Sequence, residues 1–292
     1  MAKITIPDAL KAHVPQTMWG RILTATPVVM TVIATALAGL ASSEMTRAQY
    51  ARSLGAQQQS KAGDQWGYFQ AKRLRSALQQ STLDLLQSTT DVHPFSAPKL
   101  DPLTLAALTK GELPALPPAP AMDPNVKGAI EAVEDQKPDE ETARLLAPVK
   151  DKTLDEALRA AQDRAQAFDN TINPVNQTID QLDKSLAGAD KALIRDFTAA
   201  RLRYAAARYN AEARLNQAIA YVYELQVRKS NVDAERHHKR SQQFFYGMLT
   251  AQAAVIISTF SLAAQKRSFL WALAAAAGAA AVAFAVYVYL FI

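Results

Sequence analysis

The chain contains no cysteine, and this absence excludes several kinds of chemistry. Without thiols there are no disulfides, no cysteine-based zinc sites and no thiol nucleophile. Histidine is nearly as scarce, since four residues in the whole chain leave little for a metal site. The sequence also lacks a phosphate-binding loop, a dinucleotide-binding glycine pattern, a serine-hydrolase elbow and a zinc-protease helix. We therefore expect no enzymatic activity, no catalytic residue, no metal and no cofactor.

A second absence is more informative, because three long apolar runs contain no Asp, Glu, Lys or Arg. They extend over residues 22–41, 244–264 and 269–292. About 20 apolar helical residues cross a hydrocarbon core about 30 Å thick. The sequence therefore predicts an all-α membrane protein with three transmembrane helices. Small residues at the end of the first run resemble a signal-peptide cleavage site, but we interpret the run as an uncleaved anchor because the preceding tail contains two prolines and Trp19.

The polar region after the first run is expected to continue as one helix over residues 42–92. This segment has no proline, is rich in helix-forming residues and ends at His93-Pro94. Gly55, Gly63 and Gly67 weaken a helix, and we interpret them as positions where a neighbouring element approaches closely.

Apolar residues recur at alternating steps of four and three between Leu154 and Val232. This spacing is typical of a helix with one packed seam. Breaks are predicted at Asn173-Pro174 and at Gly188–Asp190, which leaves cap helices over 153–190 and a returning helix over 191–243. The returning and outgoing helices are nearly equal in length. We therefore expect a long antiparallel helical hairpin, a coiled-coil-like stalk.

Residues 93–152 form a proline-rich segment between these helices. Ten of the fourteen prolines lie between His93 and Lys150, which excludes a long regular helix. Short helices are expected at 102–109 and 138–147, and the rest is expected to be a flexible or extended loop. We interpret this segment as a cap on the stalk.

The sequence Asp64-Gln-Trp-Gly-Tyr-Phe-Gln-Ala-Lys72 resembles the signature of a bacterial membrane-protein family, the domain of unknown function 4337. Its members share a first span, a charged helix with this signature and a final pair of spans joined by a basic turn. Here the turn contains Lys266 and Arg267, and Phe269-Leu-Trp271 follows it. Gly67 departs from the family pattern, which usually has a side chain there. The resemblance implies a layout and no known activity.

Candidate packing residues lie in the signature and in the third span. Trp66 and Phe69 share one helix face, and either they form a platform for a ligand or peptide or they pack against the returning helix or a neighbouring subunit. The second interpretation is favoured because aromatic residues at helical spacing usually serve as core. Asp64, Lys72, Ala274 and Gly278 complete the set. The last two stand at a four-residue step that allows close helix contact in a membrane, and their expected partner is either the second span or another copy.

Basic residues flank the second span, and the net charge of the chain is +5. One group precedes this span, and a second follows it in the turn over 265–268. The first comprises Arg236, His237, His238, Lys239 and Arg240, and the second comprises Lys266 and Arg267. A metal or pH-sensing role for the two adjacent histidines is disfavoured, since neighbours on a helix point about 100° apart. Phospholipid headgroups are the expected partners, and nucleic acid is not.

The positive-inside rule predicts the orientation. Lys3, Lys11 and Arg21 of the tail over residues 1–21 and the basic turn place both segments in the cytoplasm. The middle domain would then be periplasmic in a bacterial inner membrane. The basic group at Arg236–Arg240 argues against this, but long translocated regions largely escape the rule.

Three functional hypotheses follow, one of which is the regulation of an enzyme through the cap loop. The preferred one is a non-enzymatic inner-membrane scaffold or assembly protein that presents a long helical periplasmic domain and forms a homo-oligomer, with a further protein partner possible at the cap. The alternative is an oligomeric channel or transport-associated protein, in which several copies line a pore or chamber with Thr and Ser residues.

Overall fold

The computed structural model describes residues 18–96, 100–263 and 267–291. This part of the chain contains seven helices and no strand. They are α1 (Met18–Thr89), α2 (Pro102–Lys110), α3 (Pro124–Glu134), α4 (Asp139–Leu146), α5 (Asp151–Ser185), α6 (Lys191–Ala263) and α7 (Arg267–Phe291). Residues 1–17 of the predicted tail, Gln265 and Lys266 of the predicted turn, and residue 292 lie outside the described residues, as does the side chain of Arg267.

Three of the described helices, α1, α6 and α7, are long and apolar enough to cross a membrane. This agrees with the predicted all-α, multi-pass membrane protein. Both α1 and α6 extend without a break well beyond their apolar segments. Pro27 lies inside α1, and its carbonyl accepts a hydrogen bond from Thr31 Oγ1 at 2.8 Å. Proline has no N–H for the carbonyl four residues earlier, and the helix nevertheless continues through Pro27.

The chain divides into two compact units. Unit 1 comprises the residues up to Ser53 and those from Asn231 onward, and unit 2 comprises Leu54–Ser230. Unit 1 therefore contains the apolar part of all three membrane-length helices. Unit 2 contains the polar parts of α1 and α6 together with α2 to α5.

The three apolar helices of unit 1 pack around small side chains. The buried core combines residues of α1, α6 and α7, namely Ala34, Leu37, Ala41, Phe244, Ala251, Ala281 and Val288. At Gly247 of α6, an added Cβ would lie 3.4 Å from Leu37 Cδ1 and 3.9 Å from the carbonyl oxygen of Ala281. A glycine here lets all three helices approach one another. In a membrane such contacts provide the packing that lipid cannot.

The core of unit 2 is formed mainly by α5 and α6. One cluster centres on Phe168, Ile172, Phe197 and Tyr204, and Leu108 of α2 packs into it. A second cluster brings Val126 of α3 and Leu146 of α4 against Leu154, Val222 and Leu225. Most of the predicted seam residues of α5 and α6 lie in these clusters, while Leu193 and Val232 are exposed.

The predicted break at Asn173-Pro174 is wrong, because α5 continues through Pro174 to Ser185. Ile172 and Val175 on either side are buried in the core of unit 2. Their burial holds the helix together, and the Asn170 carbonyl that proline leaves without a donor lies on an exposed turn. The second predicted break is present. Gly188 has a φ of 92°, and α6 begins at Lys191.

The proline-rich segment contains one more helix than the sequence predicted. The expected short helices are α2 and α4, but α3 lies where a loop was expected. The Asp123 carboxylate caps α3 by accepting from the backbone N–H of Asn125 at 2.8 Å, and Pro124 occupies the first turn. Asp followed by Pro is a helix-start signal, and the high proline content concealed it. The extended part of this segment contacts the core of unit 2, because Leu113 and Leu116 pack against the cluster around Phe168.

Candidate functional site

A row of alanines on α6 forms the surface that α1 contacts in unit 2. Ala199, Ala206, Ala213 and Ala220 repeat every seven residues, and all four are buried. Leu83 of α1 packs with Ala199 and Leu202 at one end of the contact, and Ala62 packs with Ile219 and Tyr223 at the other. The predicted seam comprises mostly larger residues on another face of α6 and does not include this row. The seven-residue alanine repeat was the signal that would have found it.

The signature aromatics lie on this contact. The ring of Trp66 is 5.2 Å from that of Tyr221 on α6 and 5.5 Å from that of Phe69, both edge to face. Both signature residues are half-buried, whereas Tyr68 and Asp64 of the same signature are exposed. Edge-to-face aromatic pairs stabilise by about 0.5–1.5 kcal/mol beyond the area they bury. The Trp66 side chain thus packs against α6 and does not form an open platform.

Lys72, the last signature residue, pairs with Glu212 of α6. The same carboxylate also receives Arg208, whose Nε is 3.4 Å from Glu212 Oε1. Both cations lie near the ring of Tyr209, with Lys72 Nζ at 5.3 Å and Arg208 Cζ at 4.6 Å from its centroid. Lys72 of α1 is therefore held on α6 by the Glu212 carboxylate and the Tyr209 ring, and Arg208 of α6 contacts the same two groups.

Asp169 of α5 adds a second carboxyl group to this cluster. Partial loss of hydration raises the pKa of Asp169, and the negative charge of Glu212 raises it further, while Lys72 and Arg208 lower it. Asp169 lines an open polar groove of about 510 Å³ with Tyr68, Lys72 and Glu212. Ionisation of Asp169 is therefore less favourable in the folded chain than in the unfolded chain.

Asn176, which matches a glycosylation sequon, has a structural role. Its Oδ1 accepts a hydrogen bond from Tyr204 Oη at 2.6 Å and another from Arg208 Nη1 at 2.7 Å. Burial raises the pKa of Tyr204 to about 12, so its hydroxyl remains a donor at neutral pH. This network joins α5 to α6 beside the Lys72–Glu212 pair.

The chemistry of this cluster is that of helix pairing. Lys72 and Arg208 both pair with Glu212, and the Tyr204 hydroxyl donates to the amide oxygen of Asn176. Among the described residues, no group of three or more His, Asp or Glu side chains could hold a metal. Nothing among the described groove residues activates a nucleophile or places a base beside one.

Unit 1 contains a second polar contact, where α1 and α6 leave their apolar segments. His237 Nδ1 lies 2.6 Å from Glu44 Oε2, and Arg47 Nη1 donates to Glu44 Oε1 at 3.1 Å. Glu44 is buried, and Ser241 Oγ nearby donates to the Ala41 carbonyl at 2.7 Å. The sequence-based prediction grouped His237 with the basic residues beside it and did not connect it with Glu44. The missed signal was that Glu44 is the first acidic residue after the first apolar run and that His237 belongs to the basic group just before the second.

The members of the predicted headgroup cluster separate in the structure. His237 faces Glu44, whereas His238 faces Gln242, with Nε2 of both side chains 3.0 Å apart. The two adjacent histidines thus do not share a partner, as the helical angle between neighbours requires. Lys239 is exposed and pairs with Glu235 at 3.5 Å. Arg236 and Arg240 lie on the same segment of α6.

The predicted packing residues of the third span lie inside unit 1. Ala274 is fully buried. A Cβ at Gly278 would overlap the thioether end of Met30 on α1. Trp271 Nε1 of α7 donates to Thr26 Oγ1 of α1 at 3.0 Å. The partner of α7 at these positions is therefore the first span. The sequence predicts either the second span or another copy there.

The long α1 helix, the signature contacts and the three membrane-length helices together match the layout that the sequence resemblance implied. Residues 21–102 match the family Domain of unknown function (DUF4337). The resemblance is confirmed over these residues, which contain the apolar segment of α1 and the whole signature. Searches of curated proteins and of solved structures gave no match.

The DUF4337 match ends at the first residue of α2. It covers Trp66 and Lys72 but neither of their main partners on α6, Tyr221 and Glu212. The DUF4337 region therefore supplies one side of the helix contact, and the rest of this chain supplies the other. The likeness of the C-terminal pair of spans to the family stays a prediction.

Proposed function

We propose that this chain is a non-enzymatic scaffold of the bacterial inner membrane, which presents unit 2 as a helical domain in the periplasm and assembles as a homo-oligomer. The observation that carries this proposal is the use of the family signature. Trp66 packs on Tyr221, and Lys72 pairs with Glu212, so the signature holds two long helices together. We infer that a signature with this role maintains a structure.

Contacts within each unit support an antiparallel hairpin of α1 and α6. In unit 2, Gln58 bonds Ser230, Lys72 pairs with Glu212 and Ser76 bonds the Ala206 carbonyl. The residue number falls on α6 as it rises on α1, which is the order of antiparallel helices. The proline-rich cap would be built by α2, α3 and α4 where the chain passes from one helix to the other.

The orientation rests on the basic tail and turn. Because the chain has no cysteine, single cysteines can report sidedness directly. We expect Ala119→Cys, at an exposed position of the cap, to react with a membrane-impermeant maleimide in spheroplasts. Lys266→Cys should react only after the membrane is opened. Labelling of Ala119→Cys from the cytoplasmic side alone would overturn the periplasmic placement.

The scaffold proposal predicts stable assembly without turnover or transport. Amine-reactive crosslinking in native membranes, followed by size analysis, should give a discrete homo-oligomer. Trp66→Ala loosens the contact between α1 and α6 within each subunit and should thereby weaken assembly, whereas Gln80→Ala, at an exposed position of the same helix, serves as the control. A strictly monomeric protein in native membranes would overturn the scaffold as proposed.

The transport alternative has one observation in its favour. Thr31, Thr35 and Gln252 line a groove of about 430 Å³ between α1 and α6 in unit 1. Both threonine hydroxyls donate to carbonyls of their own helix, at 2.8 and 2.9 Å, which leaves Gln252 as the main polar group. Ion or solute flux through proteoliposomes that Gln252→Leu abolishes would favour this alternative over a scaffold.

A further inference from the structure

The segment of α1 in unit 2 carries apolar residues on the face that points away from the unit. Leu74, Leu78 and Leu85 have 62%, 55% and 64% of their surface exposed. They belong to a series with alternating steps of four and three, all of it exposed: Gly67, Ala71, Leu74, Leu78, Ser81, Leu85 and Ser88. We call this series the outer seam. Its spacing is that of a coiled-coil face.

The opposite face of the same helix, which contacts the rest of unit 2, carries both apolar and polar residues. Ala62 and Leu83 are buried there, and Trp66, Lys72 and Ser76 are half-buried. The helix is therefore apolar on two sides, whereas a helix with a single covered face is polar on its exposed side. The outer seam therefore has the composition of a buried surface, but no residue in the described part of the chain covers it.

Two of the three glycines at which the sequence predicts a close neighbour face open space. A Cβ added at Gly63 or Gly67 would meet nothing within 4 Å, whereas Gly55 is buried. Within the described chain the prediction is therefore wrong at Gly63 and Gly67. A second helix on the outer seam would be such a neighbour at Gly67.

We propose that the outer seam binds the same seam of a second copy, in parallel and in register. This inference rests on the proposed homo-oligomeric scaffold and identifies its interface. It requires no segment of the chain other than α1.

Membrane insertion favours a second copy in the parallel direction. All copies of one chain enter the membrane the same way, and α1 is unbroken from its apolar segment to Thr89. Their outer seams consequently run parallel, and equal positions face each other.

The charges also fit a pair of identical helices. The seam positions between Gly67 and Ser88 are all uncharged. In a parallel register each flanking residue meets the residue five positions later on the other copy. This places Gln70 opposite Arg75 and Asp84 opposite Thr89, so no like charges oppose each other. A strongly charged partner would find few complementary groups here.

Single-cysteine oxidation tests the register in the full-length protein in native membranes. Leu78→Cys should form a disulfide-linked dimer about tenfold more efficiently than Gln80→Cys, which is also exposed but lies on another side of α1. Equal yields at both positions would overturn the proposal. A disulfide that joins the Leu78→Cys variant to a different protein would overturn it as well.

A charge exchange gives a second readout without cysteine. Leu78→Glu alone and Leu78→Lys alone should each weaken the dimer, and coexpression of the two should restore it, since unlike charges then meet at the same position. Failure of coexpression to restore the dimer would overturn the register. An oligomer that amine crosslinking detects but that neither seam experiment affects would refute the outer seam and leave the scaffold standing. A monomer under every condition would refute both.

Discussion

Glu212 occupies the position where three helices of unit 2 meet, and its partners explain why lysine ends the signature. It receives Lys72 from α1 and Arg208 from its own helix, and it faces Asp169 from α5. The side chain of Glu212 is only 13% exposed, so loss of a cation leaves a negative charge poorly hydrated. We therefore expect substitutions of Glu212 or its partners to change the stability of unit 2.

We expect Lys72→Met to lower the free energy of unfolding by about 1–3 kcal/mol, because it leaves Glu212 with one cation instead of two. The exposed Lys61→Met on the same helix is the control and should change stability by about 0.5 kcal/mol or less. Thermal unfolding followed by circular dichroism in detergent measures both. Equal melting temperatures for the two variants would contradict the assigned pairing.

Trp66→Ala should cost about 2–4 kcal/mol, since it removes a half-buried aromatic ring and both of its edge-to-face contacts. Tyr68→Ala, two residues away and 57% exposed, should cost about 0.5 kcal/mol or less. The comparison uses the same unfolding measurement. If the Tyr68 variant were the less stable one, Trp66 would not be the anchor of this contact.

Asp169 should behave in the opposite way, because its pKa is raised in the folded chain. The ionised carboxylate then opposes folding at neutral pH, and this cost disappears as pH falls through the folded pKa toward the ordinary pKa of 3.8. Asp169→Asn should therefore raise the melting temperature at pH 7, with a gain that shrinks toward about pH 4. Asp163→Asn, at an exposed position of α5, is the control. A lower melting temperature for Asp169→Asn at pH 7 would contradict the shift.

At the scale of elements, periodicity predicted the helices well and proline predicted their ends poorly. The apolar runs and the alternating spacing of four and three residues predicted α1, α5, α6 and α7, because buried residues on one face of a helix recur with each turn. Pro174 did not end α5, since Ile172 and Val175 are held by the core. Asp123-Pro124 did start α3, but the helix was hidden in a proline-rich context. Three-dimensional packing decides which face of α6 each neighbouring helix covers. The predicted seam marks one of the two covered faces, and the alanine row is the other.

Pro174→Ala and Gly188→Ala should change stability in opposite directions. Alanine at 174 restores a helix hydrogen bond inside α5, so we expect the melting temperature to rise. Alanine at 188 must adopt a φ of 92°, so we expect it to fall by an amount equivalent to about 1–2 kcal/mol. Differential scanning calorimetry of both variants checks the signs. A stabilising Gly188→Ala would show that the α5–α6 turn rearranges freely.

At the scale of the whole molecule, the sequence predicted three spans and a polar middle region, because uncharged runs of membrane length are unambiguous. It could not predict that the chain forms two compact units with bounds inside α1 and α6. Those bounds fall at Ser53–Leu54 and Ser230–Asn231, where neither helix shows a breaker. The division follows from which side chains pack together, and that information is distant in sequence.

Cleavage of the cap should leave the molecule assembled. A specific protease site inserted between Pro118 and Ala119, both exposed, would separate α1 and α2 from the remaining helices. We expect the two fragments to copurify in mild detergent, because the alanine row, Trp66 and Lys72 hold α1 to α6 without help from the loop. Combining the cut with Trp66→Ala and Lys72→Met should release the N-terminal fragment. Separation of the fragments after the cut alone would mean that chain connectivity, and not the signature contact, keeps the two long helices together.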